Sequence, residues 1–278
     1  YALLRQRVVE SGLFDPSEMV VPAAASDEEL ARAHLPDYVR RVGLGELTEK
    51  EIRRIGFPWS PGLVERSRRS VGATIQACRS ALEEGISVNL AGGTHHAYAG
   101  HGEGYCVFND VAVGARQMQA EGRVKRVVIV DCDVHQGNGT AAIFAGDSSV
   151  YTFSIHAQKN FPFHKENSHL DIGLPDETGD EAYLEALACG TRRALEESSA
   201  SLAIYLAGAD PFTGDALGRL ALSKAGLAGR DRLVFELCRR QGLPVAVTMS
   251  GGYAKDIDDT VDIHFQTVLL ARESLAST

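Results

Sequence analysis

From residue 87 onward the chain alternates short apolar, β-branched runs with longer helical stretches. This alternation limits the fold more than any other feature of the 278 residues. The candidate strands are ISVNL, RVVIVD, SVYTFSI, SLAIYLA and PVAVTMS, with helical stretches over 107–121, 180–198, 229–241 and 256–275. Continuous apolar strands alternating with helices predict an α/β fold, a mostly parallel multi-stranded sheet with helices on both faces. The first eighty residues read as helices joined by short turns. YALLRQRVVESG stops at Gly12, and a second helix from Asp27 to Leu35 is ended by Pro36. LTEKEIRRIG carries Thr48 and Glu51 at capping-box spacing, and a long helix runs from Pro61 to Gly85. Without linker, repeat or low-complexity segment, residues 1–278 read as a single domain.

The residues just after each strand give the stronger signal. The five runs lead into AGGTHH, DCDVHQGNG, HAQKNFPF, GADP and GGY. In open α/β sheets ligands bind outside the carboxyl ends of the strands. One such end would mean little, because loops are polar anyway. Five of them, each pairing small residues with a chemically capable side chain, predict a site.

In DCDVH, strand alternation puts Asp131, Asp133 and His135 on one face and turns Cys132 and Val134 into apolar packing. Two carboxylates side by side near a core are costly, and a cation relieves them. Asp with His suits Zn²⁺, and Fe²⁺ or Mn²⁺ nearly as well. Asp210 of GADP is the best third ligand, and three protein ligands leave a position open for water and substrate. The plainer alternative is a strand end whose Asp and His cap the next helix. In GGTHHAY, His95 and His96 offer two acid–base groups, with Asp131 placed to orient one and Asn138 the other. Two surface histidines in a turn would be the bland reading. Tyr253 of SGGY can donate to an oxyanion, or simply pack in a core. Tyr105 and Phe161 read as apolar walls of a narrow tunnel, or as plain packing. His34, His101, His164, His169 and His264 read as surface or loop residues, and His156 follows a strand without an obvious partner.

Composition narrows the partners. A net charge of −9 with a pI near 5.5 argues against nucleic acid or an anionic membrane and leaves room for a cationic substrate. Five scattered cysteines without a C-x-x-C pair suit a reducing cytoplasm, not a disulfide framework. No apolar run approaches the roughly 18 residues of a membrane span, and no signal peptide is visible.

With these residues in hand, the chain resembles the histone deacetylase family of the arginase/deacetylase superfamily, along nearly its whole length. GGTHHAY, GYCVFNDVAVG, VVIVDCDVHQGNGT, GADPFTGDALGRLALS and SGGY resemble the family's motifs in order, and YALLRQRV its N-terminal helix. In the family a short segment precedes that helix; this chain opens on Tyr1. The HQGNG form resembles the class IV branch and its bacterial relatives. The resemblance implies a zinc-dependent lysine deacylase. Asp133, His135 and Asp210 would hold Zn²⁺, and His95 and His96 would be the tandem pair, with His96 as general base and acid and Asp131 bonded to His95. Tyr253 would polarise the scissile carbonyl. Tyr105, Phe161, Gly104, Gly251 and Gly252 would line the acyl-lysine channel. Potassium would sit among Asp131, Asp133, His135, Ser154 and Ile155. Asn138 departs from the Asp of the class I pattern, so His96 should be raised less. The partner would be an acyl-lysine protein or peptide, or a small acylated amine, with no nucleic acid or membrane. The rival readings are an acetylpolyamine or other small-amide hydrolase, a two-metal ureohydrolase of the arginase type, and a non-catalytic metal-stabilised module.

Overall fold

A computed structural model describes residues 1–276. Five helices come before the first strand: α1 (Ala2–Glu10), α2 (Asp27–Leu30), α3 (Pro36–Leu44), α4 (Glu49–Ile55) and α5 (Pro61–Glu84). Next come β1 (Ile86–Asn89), α6 (Asp110–Ala120), β2 (Val127–Asp131), α7 (Asn138–Ile143), β3 (Val150–Ala157) and β4 (Leu170–Leu174). The chain continues with α8 (Asp180–Ser198), β5 (Leu202–Leu206), α9 (Lys224–Arg240), β6 (Val245–Thr248) and α10 (Ile257–Ala276).

The six strands form one sheet in the order β1-β6-β5-β2-β3-β4, and every pairing is parallel. Its two faces carry separate cores, as a sheet buried on both sides requires. Val128, Val130, Ala203 and Tyr205 pack with Tyr183, Leu187, Val234 and Val268 from α8, α9 and α10. Val127, Ile129, Leu202 and Ile204 pack with Ile75, Cys78, Val111 and Met118 from α5 and α6. Among the described residues no helix is long and apolar enough to cross a membrane.

Register places the site. Asn89 pairs with Thr248, Thr248 with Leu206, Leu206 with Asp131, and Asp131 with Ser154. The carboxyl ends of four strands therefore lie in one row across the sheet, and β3 runs past that row to Ala157. The loops after them open side by side on a single edge.

The sequence reading needs three corrections. Leu170–Leu174 is a sixth strand, β4, at the sheet edge, where its residues alternate in burial instead of forming a buried run. The helix expected over 27–35 stops at Leu30, and Pro36 opens α3 instead of ending α2. A proline at the first helical position loses nothing, since that N–H has no intrahelical partner. Finally, α9 begins at Lys224, capped by Ser223, whose Oγ accepts from Gly226 N at 2.9 Å.

Candidate active site

The strand proper ends at Asp131, so Asp133 and His135 stand on a loop, not on the strand expected to carry all three. They still alternate as a strand would, with Cys132 and Val134 buried in the apolar core behind them. Backbone bonds fix the loop: Cys132 N donates to Leu206 O at 3.1 Å and Ala157 N to Val134 O at 3.0 Å. Val134 N donates to Asp210 Oδ1 at 2.9 Å, which fastens the loop after β2 to the loop after β5. Asp133, His135 and Asp210 are all buried, and one ligand atom from each lies within 4.8 Å of the others.

The trio fits a metal ion. Asp210 Oδ2 is buried without a hydrogen bond. A side chain on Gly251 would fill the space, its Cβ meeting Asp133 Oδ2 at 2.8 Å. Burial disfavours charge on His135, yet Asp133 and Asp210 hold its imidazolium up to about 10. Asp210 is pushed up to about 7, by burial and then by the charge of Asp133. A positive charge is stabilised where the two carboxylates converge, and Asp210 Oδ2, without a hydrogen bond of good geometry, lies 3.3 Å from His135 Nδ1.

The tandem histidines face this trio from the loop after β1. His95 Nδ1 lies 2.6 Å from Asp131 Oδ2, and His96 Nδ1 lies 2.6 Å from Asn138 Oδ1. Burial works against charge on His95, but Asp131 and Asp133 hold it up at about 9. His96 goes the other way, well below the ordinary histidine value, through burial and then the charges of His95 and His135. Asn138 Nδ2 donates to Tyr98 Oη at 3.1 Å and Glu103 Oε1 at 3.3 Å, which turns its carbonyl oxygen toward His96. His96 therefore keeps its proton on Nδ1, and Nε2 is left as the free base.

The Histone deacetylase domain model matches residues 1–268. The chain belongs to the histone deacetylase family. It is 45% identical to an uncharacterized protein of Picosynechococcus sp. over 95% of this chain and 88% of that protein. It is 31% identical to histone deacetylase 2 of Arabidopsis thaliana over 89% of this chain, and spans 66% of that longer protein. A solved deacetylase homologue from Aquifex aeolicus superposes with a TM-score of 0.82 at 24% identity, over 99% of this chain and 82% of the other, and shares the fold.

In this deacetylase-family hydrolase the expected channel residues meet around the site. The Phe161 ring lies edge-on to His96 at 4.9 Å, and the Tyr105 ring lies 6.1 Å from Tyr253. Gly104 presses on His96, where a Cβ would meet Cδ2 at 2.7 Å. Tyr253 is half-exposed and held by its backbone N–H, which donates to Asp215 Oδ2 at 2.6 Å. Burial, followed by the charge of Asp210, raises its phenol far above the ordinary value. Gly251 N donates to Asp133 Oδ2 at 2.9 Å, and Gly252 sits against Thr260 and His264. Of the expected potassium positions, Asp131 and Ser154 are register partners, with Ile155 next along β3.

Several residues that hold the site were not singled out in the sequence. Ser250 Oγ donates to Asp133 Oδ2 at 2.7 Å. The buried Asp110 accepts from Gly93 N at 3.0 Å, Thr94 N at 2.7 Å and Thr74 Oγ1 at 2.5 Å, so it moulds the loop that carries the histidines. Asn109 Nδ2 donates to Ala97 O at 3.0 Å and also caps α6. The buried Arg230 bonds Gly208 O and pairs with Asp231 at 2.8 Å, beneath the loop of Asp210. A polar residue at the start of a predicted helix flags Asn109 and Asp110; nothing local flags Arg230. Two histidines read as surface or loop residues are buried, His34 in the turn before α3 at 3% and His264 within α10 at 4% exposure. His156 does have a partner, Ser154 Oγ at 2.9 Å.

Proposed function

We propose that this chain is a metal-dependent amide hydrolase that removes acyl groups, acetyl or longer, from lysine side chains of proteins or peptides. The buried Asp133–His135–Asp210 trio carries the reading, with the His96 ring only 5.7 Å from that of His135. Its donors suit zinc first and Fe²⁺ next. A divalent cation bound there supplies Lewis-acid polarisation and a more acidic water.

The chain's own residues do the rest. Neutral His96 takes a proton at Nε2 from the attacking water and returns it to the leaving lysine amine. His95, held charged against Asp131, keeps its neighbour neutral. The Tyr253 hydroxyl donates to the oxyanion as it forms, and its raised pKa keeps that proton in place. Asp131 and Ser154, paired in register, are the nucleus of the proposed potassium site. Among the described residues one Asp/His group gathers, which favours a one-metal hydrolase over a two-metal ureohydrolase.

The test is hydrolysis of lysine peptides carrying acetyl, butyryl, octanoyl or myristoyl groups by zinc-loaded protein, with Asp133→Ala as the blank. Tyr253→Phe should lower kcat by about a hundredfold while zinc stays bound. Full turnover in Tyr253→Phe, or no cleavage above the blank, would sink the proposal.

A further inference from the structure

The charge around the channel mouth is opposite in sign to that of the molecule, whose net charge is −9. Backbone bonds fasten the last turn of α4 to the channel wall: Gly104 N donates to Arg54 O at 3.2 Å and Tyr105 N to Ile55 O at 2.8 Å. Exposed Lys50, Arg53 and Arg54 therefore stand beside the Tyr105 wall. The guanidinium of Arg66 lies 5.1 Å above the ring of Phe57, which itself packs on Tyr105 at 5.1 Å. On the Phe161 side, Lys159 directly precedes Asn160 and Phe161, and Arg219 N donates to Asn160 Oδ1 at 3.0 Å. All six of these cations border the cavity that contains the metal trio.

The acids nearby do not balance them. Arg53 meets Glu49 at 3.3 Å in a fully exposed pair, and Arg54 meets Glu103 at 3.8 Å. Lys159 and Arg219 share the single carboxylate of Asp176, at 3.7 and 3.2 Å. Glu65 is taken by Arg69 at 2.6 Å. Lys50 and Arg66 have no carboxylate in ion-pair reach among the described residues. Six cations thus face three carboxylates around one opening.

We infer that the mouth selects acyl-lysines flanked by acidic residues, and disfavours both basic flanks and acylated polyamines. This rests on the amide-hydrolase reading above. An acylated lysine side chain is itself neutral, so charge discrimination falls on whatever lies beside it. A rim of one sign raises the local concentration of an oppositely charged substrate and its rate of capture, and salt screens the effect.

Three peptides test it, with one acyl-lysine flanked by Glu, Gln or Arg, at ionic strengths of about 20 and 500 mM. Cleavage is read as kcat/KM and binding as fluorescence anisotropy. The acidic peptide should exceed the basic one by about tenfold in both readouts at low salt, and the gap should close at high salt. The double variant Lys50→Glu/Arg53→Glu should level or invert the order of the Glu and Arg peptides. Equal binding of the three peptides, or an order unmoved by the double variant, overturns the inference. Acid-preferring binding without any cleavage leaves the rim preference standing and overturns the hydrolase reading instead.

Discussion

Ser250 holds a backbone conformation rare for a side-chain-bearing residue, with φ at +59°. Its bonds explain why that strain persists. Ser250 N donates to Gly92 O at 3.1 Å, and its hydroxyl has both Asp133 Oδ2 at 2.7 Å and Gly93 O at 3.1 Å as acceptors. The hydroxyl has one proton to give, and the shorter contact to a charged oxygen is the stronger. Ser250 thereby fixes the carboxylate that would ligate the metal and joins the loop after β6 to the loop of the tandem histidines. Ser250→Ala and Ser250→Gly both remove the donor, but only glycine relieves the backbone. Zinc affinity of the apoprotein, read by competition with a chelating dye, should weaken by about ten- to a hundredfold in both. If Ser250→Gly binds zinc as tightly as the wild type, the hydroxyl bond to Asp133 does not set the affinity.

At the scale of elements, the same substitution should have opposite effects on two helices. Gly43 lies inside α3, where a Cβ would meet only the tip of Arg68 at 3.8 Å. Gly190 lies inside α8 against β3 and β4, where a Cβ would meet Phe153 Cζ at 2.5 Å and Ile172 Cδ1 at 2.7 Å. Gly43→Ala should gain about 0.5–1 kcal/mol from helix propensity alone. Gly190→Ala gains the same term but overpacks the core, for a net loss of about 1–2 kcal/mol. Urea unfolding of both variants checks this, and a stabilised Gly190→Ala would contradict the packing described. Legibility also divides at this scale. β2, β5 and β6 could be read because each is a buried, nearly continuous apolar run, and β1 and β3, though mixed with polar residues, because the chemistry of all five comes immediately after. β4 could not be read: at the edge, Asp171 and Gly173 are exposed and break the run. The buried Asp133–His135–Asp210 trio, which could hold a metal, was legible from Asp-x-Asp-x-His plus one more loop Asp. Ser250 and Arg230 act through bonds to segments remote in sequence, about which the local pattern is silent, and Asp110 shows only as a polar residue at a helix start. Pro36 misled because proline ends helices as readily as it begins them.

For the whole molecule, buried histidines set how stability depends on pH. His34 is wedged between Tyr98 O, 3.0 Å from Nδ1, and Asn109 N, which donates to Nε2 at 2.9 Å. Both ring nitrogens are used by a neutral imidazole, and burial pushes its pKa down to about 4. Burial likewise lowers His156 to about 4 and His264 to about 3. For each, the unfolded chain takes a proton that the folded chain refuses. Their contribution is complete above the ordinary value of about 6.5 and is lost as pH falls toward 4. In the metal-free protein His95 and His135, raised to about 9 and 10, act in the opposite sense, contributing fully below about 6.5 and losing that as pH rises. Wild-type melting alone mixes the two groups, so the test is a difference. His34→Gln can still donate to Tyr98 O and accept from Asn109 N, but it cannot titrate. It should be less stable than the wild type at pH 7, and that deficit should shrink by on the order of 2 kcal/mol by pH 5. The acids lowered most, such as Glu51 at about 2, respond at lower pH and leave this window clear. A deficit that stays constant from pH 7 to 5 would mean that His34 takes up a proton in the folded protein as readily as in the unfolded chain, which its acceptor role toward Asn109 N forbids.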